Sequence, residues 1–310
     1  MRVVEFIDLM RSSGCRYSYI GDDFGGVFVA LDVEGRLFSC MDGKVLSRVN
    51  PDAFTKVSTG GVYYNPGGDG LWPAPEGSRL GYEYSTGDWR VPPGITGARW
   101  VETAPGVVNA EIDLINNEGI GLPCRFGRKI EVVRSGTREM TVNVVESIEY
   151  LGQRSYGRDE VLLVPWSLCQ FDCGAGSRLI FSDGGEGSFW DMYAPSAKQR
   201  RIESGKCIVD LCTAERFQIG MSSAISCLRF EDAARALVVE RRGCGLPSGL
   251  DWIDICDRSP AEEPDGRPVV LSAYCDPSGF MEVESAGGCP KRLEPGFKNE
   301  LRTETWFRLD

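Results

Sequence analysis

Two glutamates spaced two residues apart near the C-terminus form the pattern with the clearest chemical meaning. They belong to the segment FMEVES, residues 280–285, which reads as a β-strand. Because successive side chains of a strand point to opposite faces, Glu282 and Glu284 are expected on one face, roughly 6–7 Å apart. Two ionised carboxylates at this distance repel each other, which raises the pKa of one and suits it to proton transfer. The alternative is a solvated outer face, with Phe280, Met281 and Val283 supplying the core.

A second stretch, residues 65–94, combines many glycines and prolines with aromatic and charged side chains. This density of glycine and proline argues against a helix or a central strand, so we expect a long irregular loop, and such loops are usually functional. An aromatic ring can stack on the C–H face of a sugar, whose hydroxyls pair with carboxylate and guanidinium groups. An Ω-loop that only covers a sheet edge is the open alternative. The candidate sugar-binding residues of this stretch are Trp72, Glu76, Arg79, Tyr82, Asp88, Trp89 and Arg90.

The segment VPWSLCQFD, residues 164–172, places polar groups inside an apolar run. Gln170 can both donate and accept hydrogen bonds, as a sugar hydroxyl requires. Trp166 offers a second stacking surface, although a tryptophan in such a run is more often a core residue. Asp172 joins Glu282 and Glu284 as a candidate catalytic acid or base.

Histidine is absent from the 310 residues. This absence excludes Ser-His-Asp and Cys-His catalysis and the HExxH type of metal site. Any acid–base chemistry must therefore be carried out by Asp, Glu, Tyr, Lys or Cys side chains.

The elements that must position these residues are mostly strands. Apolar and polar residues alternate with a period of two along most of the chain after residue 16, in about fifteen short runs separated by turns. Only the first 14 residues suggest a short amphipathic helix. Without an alternation of strands and helices, this pattern predicts an all-β protein, a large antiparallel sandwich of two sheets. No linker divides the chain, so we expect residues 1–310 to form a single domain.

The charge composition argues against two classes of binding partner. The net charge is −11 and no cluster of Lys and Arg is present, which disfavours nucleic acid and anionic membranes. No apolar run has the length of a membrane span and the N-terminus lacks a secretory pattern, so we expect a cytoplasmic protein. Nucleotide-binding glycine motifs are also absent, and no cofactor is expected.

The twelve cysteines are expected to be free thiols. Cys169 and Cys173, with Cys207 and Cys212, could supply four thiolates to zinc. Their spacings are wider than those of most zinc sites, and the sequence contains no CxxC pair, so we expect no metal.

Several motifs together resemble the galactose mutarotase-like family of supersandwich proteins, which includes the aldose 1-epimerases. The pattern Gly-Gly-x-x-Leu-Trp-x-x-Pro-Glu at residues 67–76 is similar to a loop of an uncharacterised branch of that family. The chain also closes as family members do, with an acid-bearing strand, then Leu-Glu-Pro-Gly at residues 293–296, then an alternating strand that contains Thr-Trp-Phe-Arg. The resemblance implies a supersandwich fold and a carbohydrate ligand.

The resemblance also implies roles for individual residues. In the family's mutarotases, the acid that precedes Leu-x-Pro-Gly is the catalytic base, and by position Glu284 or Glu282 matches it. Those enzymes use histidines to protonate the ring oxygen and to hold the sugar. Where such a histidine is expected, this chain has Trp166 and Gln170.

Three hypotheses follow from these observations. The protein is an aldose epimerase-like enzyme, with Glu284 or Glu282 as base and Asp172, Tyr82 or Asp88 as acid. Alternatively, it is a carbohydrate-binding protein that uses the same site on the concave face of one sheet. The third hypothesis is a non-catalytic structural or protein-interaction β-sandwich.

Overall fold

The computed structural model describes residues 1–59, 62–82, 93–211 and 215–310. Three helices lie in these ranges: α1 Val3–Ser12, α2 Asp52–Thr55 and α3 Pro93–Thr96. The strands of the described chain are, in order, β1 Tyr17–Asp22, β2 Gly25–Ala30, β3 Arg36–Met41, β4 Lys44–Val45, β5 Asp69–Ala74, β6 Val101–Ala104, β7 Val107–Ile115, β8 Gly121–Arg134, β9 Glu139–Tyr150, β10 Tyr156–Gly157, β11 Val164–Asp172, β12 Ser177–Ser182, β13 Phe189–Asp191, β14 Arg200–Glu203, β15 Lys206–Asp210, β16 Phe217–Met221, β17 Cys227–Asp232, β18 Leu237–Gly243, β19 Leu250–Asp251, β20 Leu271–Asp276, β21 Phe280–Ala286, β22 Cys289–Pro290, β23 Arg292–Leu293 and β24 Lys298–Leu309.

Two antiparallel sheets of ten strands each form the body of the described chain. The first sheet has the order β1-β2-β3-β5-β11-β21-β20-β16-β13, with β4 paired to β3. The second sheet has the order β14-β15-β12-β17-β18-β24-β9-β8-β7-β6. The predicted all-β class, with two large sheets and a short N-terminal helix, is confirmed.

The strands of the two sheets differ in how they are buried. In the second sheet, buried and more exposed residues alternate, as along β24, because only one face packs on the core. Strands β2, β3, β5 and β21 of the first sheet are buried along their whole length. The first sheet is therefore covered on both faces, one of them by the second sheet. We call its other face the outer face.

Helices cover one end of this outer face. Phe6 of α1 packs on Phe28 of β2 and Phe38 of β3, at ring-centroid distances of 5.7 and 4.8 Å. Phe54 of α2 closes the same aromatic cluster, 5.7 Å from Phe6. The outer faces of β1 to β3 are thus occupied by apolar packing, and the central strands from β5 to β16 are left for a site.

One expectation about residues 65–94 is wrong. Residues 69–74 form β5, a central strand between β3 and β11, rather than part of an irregular loop. Pro73 is tolerated because Pro165 stands opposite it in β11, so neither residue needs to donate a hydrogen bond at that pair. On its other side β5 pairs with β3 only at Asp69, opposite Leu37, so no ladder partner is lost there. Asp88, Trp89 and Arg90 lie outside the described residues.

A cluster of charged side chains joins the two sheets at their centre. Arg128 of β8 donates to Glu146 of β9 through Nη2, at 2.6 Å, and Arg241 of β18 donates to Asp69 of β5 through Nη1, at 2.8 Å. Ser167 of β11 completes the cluster, because it donates to Asp69 at 2.9 Å and accepts from Arg241 at 2.5 Å. These residues are buried, and two guanidinium groups balance two carboxylates. We call them the inter-sheet charge cluster.

Asp69 is the member whose charge the fold most clearly requires. Burial alone would raise its pKa, but Arg241 and Arg128 outweigh that effect and hold the pKa of Asp69 below its usual value. We expect Asp69→Asn to lower the free energy of unfolding by about 3 kcal/mol or more, because it leaves buried guanidinium charge uncompensated. Urea denaturation at neutral pH measures the loss.

Asp113→Asn is the matched control for this prediction. Asp113 lies on β7 with its side chain exposed, so the same chemical change should alter stability by no more than about 0.5 kcal/mol. Equal stabilities of the two variants would contradict a structural role for the inter-sheet charge cluster.

Candidate functional site

A cavity of about 340 Å³ lies on the outer face of the first sheet. Strands β5, β11, β21, β20 and β16 each contribute to its floor and walls, and residues of the connecting segments complete it. The register explains this convergence. Along β5 and β11, odd-numbered residues such as Asp69 and Ser167 face the second sheet, so the even-numbered residues Trp72, Trp166 and Leu168 face the cavity.

Glu282 and Glu284 lie side by side in the floor of this cavity, both buried. Gln170 of β11 stands opposite Glu282 and donates from Nε2 to its Oε1 at 2.5 Å. Gln218 of β16 donates from Nε2 to Oε2 of Glu284 at 2.9 Å, and Ser272 of β20 donates to the same oxygen. Each carboxyl group is therefore held by at least one neutral donor from a neighbouring strand.

This environment changes the protonation of the two glutamates. Burial raises the pKa of Glu284 to about 7, although the hydrogen bond from Ser272 acts in the opposite direction. Burial, together with the charge of Glu284, raises the pKa of Glu282 well above its usual value, and Arg36 opposes that rise. Near neutral pH, Glu282 therefore keeps its proton while Glu284 is partly ionised. A neighbouring acid and base of this kind can transfer protons to and from a bound molecule.

Aromatic side chains form one wall of the cavity. The rings of Trp72 and Trp166 meet edge to face, with their centroids 6.1 Å apart. Tyr63 lies 6.2 Å from Trp72, and the guanidinium group of Arg36 stands over the Trp72 ring at 5.5 Å. Arg36 reaches this position because Gly70 has no side chain; a Cβ atom at Gly70 would lie 2.5 Å from Nη1 of Arg36.

Two further arginines stand at the cavity lining. The guanidinium group of Arg48 lies 4.2 Å from the centroid of the Phe280 ring. Arg216 lies 5.3 Å from the ring of Tyr274 and donates from Nε to the hydroxyl of Tyr193 at 3.1 Å. These groups add hydrogen-bond donors to a floor that presents mainly carboxyl and amide oxygens.

The structure brings together six of the residues that the sequence singled out. Trp72, Glu76, Trp166, Glu282 and Glu284 line the cavity, and Gln170 is bonded to one of its glutamates.

Three other predicted site residues do not line this cavity. Tyr82 is buried in the hydrophobic core, where its hydroxyl donates to the carbonyl of Leu162. Arg79 pairs instead with Glu263, at 2.6 Å. Asp172 ends β11 with its side chain 61% exposed, 3.9 Å from Arg48. Tyr82, Arg79 and Asp172 therefore lie outside the cavity that the other predicted residues line.

Sequence reasoning missed several residues that face the cavity. Gln218 had a usable signal, because it is a polar residue inside the apolar strand FQIGM, as Gln170 is inside its own strand. Ser272, Tyr274 and Asp276 alternate along β20, which marks one polar face. Arg48 gave no such signal, since it lies outside any strand and reaches the cavity only through the tertiary fold.

Within the described ranges, no group of three or more Asp, Glu, Cys or His side chains is placed to bind a metal ion. The cysteines in these ranges have free thiols, and Cys212 lies outside them. No described helix is long and apolar enough to cross a membrane.

Comparisons with solved structures identify the fold. The chain is similar to a provisionally assigned aldose 1-epimerase from Escherichia coli K12, with a TM-score of 0.55 and 12% identity over 96% of this chain and 99% of that chain. It is also similar to a provisionally assigned aldose 1-epimerase from Klebsiella pneumoniae, with a TM-score of 0.51 and 10% identity over 96% of this chain and 80% of that chain. No family model and no curated protein matches the chain. The chain has the galactose mutarotase-like fold that its motifs indicated.

The raised pKa of Glu284 makes stability depend on pH. Its usual pKa is 4.5 and its folded value is about 7, so between these pH values the folded protein retains a proton that the unfolded chain loses. The associated stabilisation is complete below about pH 4.5 and is lost as the pH rises through 7. We expect Glu284→Gln to flatten this decline by up to about 3 kcal/mol in the free energy of unfolding.

Denaturant unfolding at several pH values between 4 and 8 measures this effect. Glu111→Gln is the control, because the Glu111 side chain is 75% exposed and the substitution is chemically identical. If both variants showed the same decline of the free energy of unfolding with pH as the wild type, the raised pKa of Glu284 would be contradicted.

Proposed function

We propose that the protein binds a sugar or sugar derivative in the outer-face cavity and interconverts its anomers. The observation that carries this proposal is the pair Glu282 and Glu284, two buried carboxyl groups of which one is protonated near neutral pH. The tryptophans beside the pair offer apolar surface to a sugar ring. The two similar structures are themselves provisionally assigned as aldose 1-epimerases, which agrees with this chemistry.

The reaction assigns a role to each glutamate. Ionised Glu284 accepts the proton of the anomeric hydroxyl group, and the C1–O1 bond becomes a carbonyl as the bond from C1 to the ring oxygen breaks. Glu282 donates its proton to that ring oxygen. After rotation about C1–C2, the same steps in reverse close the ring as the other anomer, and both glutamates recover their protonation states.

The spacing of the two glutamates fits this role. The anomeric oxygen and the ring oxygen are bonded to the same carbon, so the acid and the base must reach points that are close together. Two side chains on one face of a strand, roughly 6–7 Å apart at their origins, can converge on such points. A carboxyl pair would thus supply the acid that other family members take from histidine.

The proposal predicts that Glu284→Gln slows anomer exchange by orders of magnitude with little change in sugar affinity, because proton transfer contributes in the transition state. The measurement begins with a panel of neutral, acidic and phosphorylated sugars, screened by calorimetry, and continues with NMR exchange spectroscopy on each ligand that binds.

Two outcomes would decide between enzyme and binding protein. Binding without exchange in the wild type would leave a carbohydrate-binding protein, and Glu284→Gln would then weaken affinity by about 1–3 kcal/mol instead. No binding across the whole panel would reject the carbohydrate proposal.

Trp72 provides an independent prediction, because stacking contributes to binding under both hypotheses. We expect Trp72→Ala to weaken sugar affinity roughly tenfold or more, through the loss of aromatic contact area. Trp306→Ala is the control, since Trp306 lies half-buried on β24 of the second sheet. Calorimetry on both variants, after circular dichroism has established that each is folded, gives the comparison. If Trp72→Ala and Trp306→Ala bound the sugar with equal affinity, Trp72 would have no role in binding.

A further inference from the structure

The two oxygens of the Glu284 carboxyl group have different surroundings. Oε2 accepts a hydrogen bond from Nε2 of Gln218, at 2.9 Å, and a second from the hydroxyl group of Ser272. Oε1 is equally buried and accepts no hydrogen bond from an amide, hydroxyl or guanidinium group of the described residues. The Glu282 carboxyl group also contacts Glu284, and the hydrogen bond between the two lowers the pKa of Glu284 and raises that of Glu282. One oxygen is therefore held by two neutral donors, while the other has none and lies in the cavity with Glu282.

Three neighbouring strands build this arrangement. Ser272 of β20 stands directly opposite Glu284 of β21, and Gln218 approaches from β16 on the far side of β20. All three side chains are almost fully buried, with exposures of 2% or less. A buried donor whose position is fixed by a strand ladder can orient a carboxylate more tightly than a donor on a loop.

We propose that Ser272 and Gln218 are positioning residues, which hold Oε2 of Glu284 and thereby direct Oε1 at the anomeric hydroxyl group of the sugar. This inference rests on the proposed function and deepens it, because it names the atom that accepts the proton. Neither residue itself needs to touch the reacting atoms.

The hydrogen bonds that each glutamate accepts also influence which of the two is ionised and can act as the base. Hydrogen bonds from neutral donors favour the ionised form of a carboxyl group. Glu284 receives two such bonds, whereas Glu282 receives one, from Gln170. This difference in donors and the hydrogen bond between the two glutamates together favour the charge on Glu284 and the proton on Glu282, as the proposed reaction requires, whereas Arg36 lowers the pKa of Glu282 and the charge of Glu76 raises that of Glu284.

The test compares Ser272→Ala and Gln218→Met with the wild-type protein. Each variant removes one donor to Oε2, so the pKa of Glu284 should rise by about one unit or more. The acid limb of the kcat/KM profile should move to higher pH by the same amount. Since one of the two donors is lost and Oε1 is directed less tightly at the sugar, kcat should fall about 10- to 100-fold. KM should stay within about twofold of the wild type.

Two further variants separate positioning from a structural role. Ser272→Thr keeps the hydroxyl group and should restore the wild-type pH profile. Ser285→Ala is the matched control, because Ser285 lies on β21 beside Glu284 but its hydroxyl has no partner among described residues and the register turns it away from the cavity. It should leave both kcat and the profile unchanged.

A titration by NMR, with ¹³C-labelled glutamate carboxyl groups, reads the pKa of Glu284 without any substrate. An unchanged pKa in both Ser272→Ala and Gln218→Met would overturn the inference, and so would a raised pKa with wild-type kcat. If the wild type exchanges no sugar, the proposed function fails. The titration still decides whether Ser272 and Gln218 hold the carboxylate, and a raised pKa would then support that arrangement alone.

Discussion

The guanidinium–carboxylate contacts of the inter-sheet charge cluster constrain the rest of the structure. A buried charge is tolerable only when an oppositely charged partner contacts it in good geometry. The cluster therefore permits few ways of placing one sheet on the other. Asp69 and Ser167 fix the inward face of β5 and β11 in this way. Because side chains alternate, Trp72 and Trp166 must then face outward. A slip of one residue would exchange the two sets, and would destroy the cluster and the cavity together.

Asp69 differs from the two cavity glutamates in the direction of its pKa shift, whereas burial raises the pKa of Glu146 in the inter-sheet charge cluster despite its ion pair with Arg128. Asp69 lies within ion-pair distance of two arginines, and its pKa is lowered. Glu282 and Glu284 form no ion pair with a described residue and are held by amide and hydroxyl donors, so burial dominates and their pKa values are raised. The cavity glutamates are therefore distinguished from the inter-sheet charge cluster by the absence of an ion pair with a described residue, with neutral donors in its place.

The features that could be predicted from the sequence are those that depend on the local alternation of apolar and polar residues. Alternation identified the fold class, and the spacing of Glu282 and Glu284 placed both on one face, where the structure has them. Composition was misleading for β5, since its one proline, Pro73, is tolerated only because Pro165 stands opposite it and the β3 side is nearly unpaired. That information lies in other parts of the chain.

Partners that come from distant strands could not be predicted either. The sequence offered no reason to associate Gln218 or Ser272 with Glu284, because the order of strands in the sheet brings them together. Arg79 and Tyr82 were assigned to the site through their proximity in sequence to Trp72. The chain turns away after β5, so Tyr82 enters the core and Arg79 pairs with Glu263.

Gly70 has a consequence for how this cavity could change during evolution. The space that its missing side chain leaves is filled by the guanidinium group of Arg36, which belongs to the neighbouring strand. Any larger residue at position 70 would displace that group from its place over the Trp72 ring, and so would alter the wall of the cavity in one mutational step. Because Arg36 also lowers the pKa of Glu282, a substitution at position 70 would change the shape of the cavity and the acidity of Glu282 together.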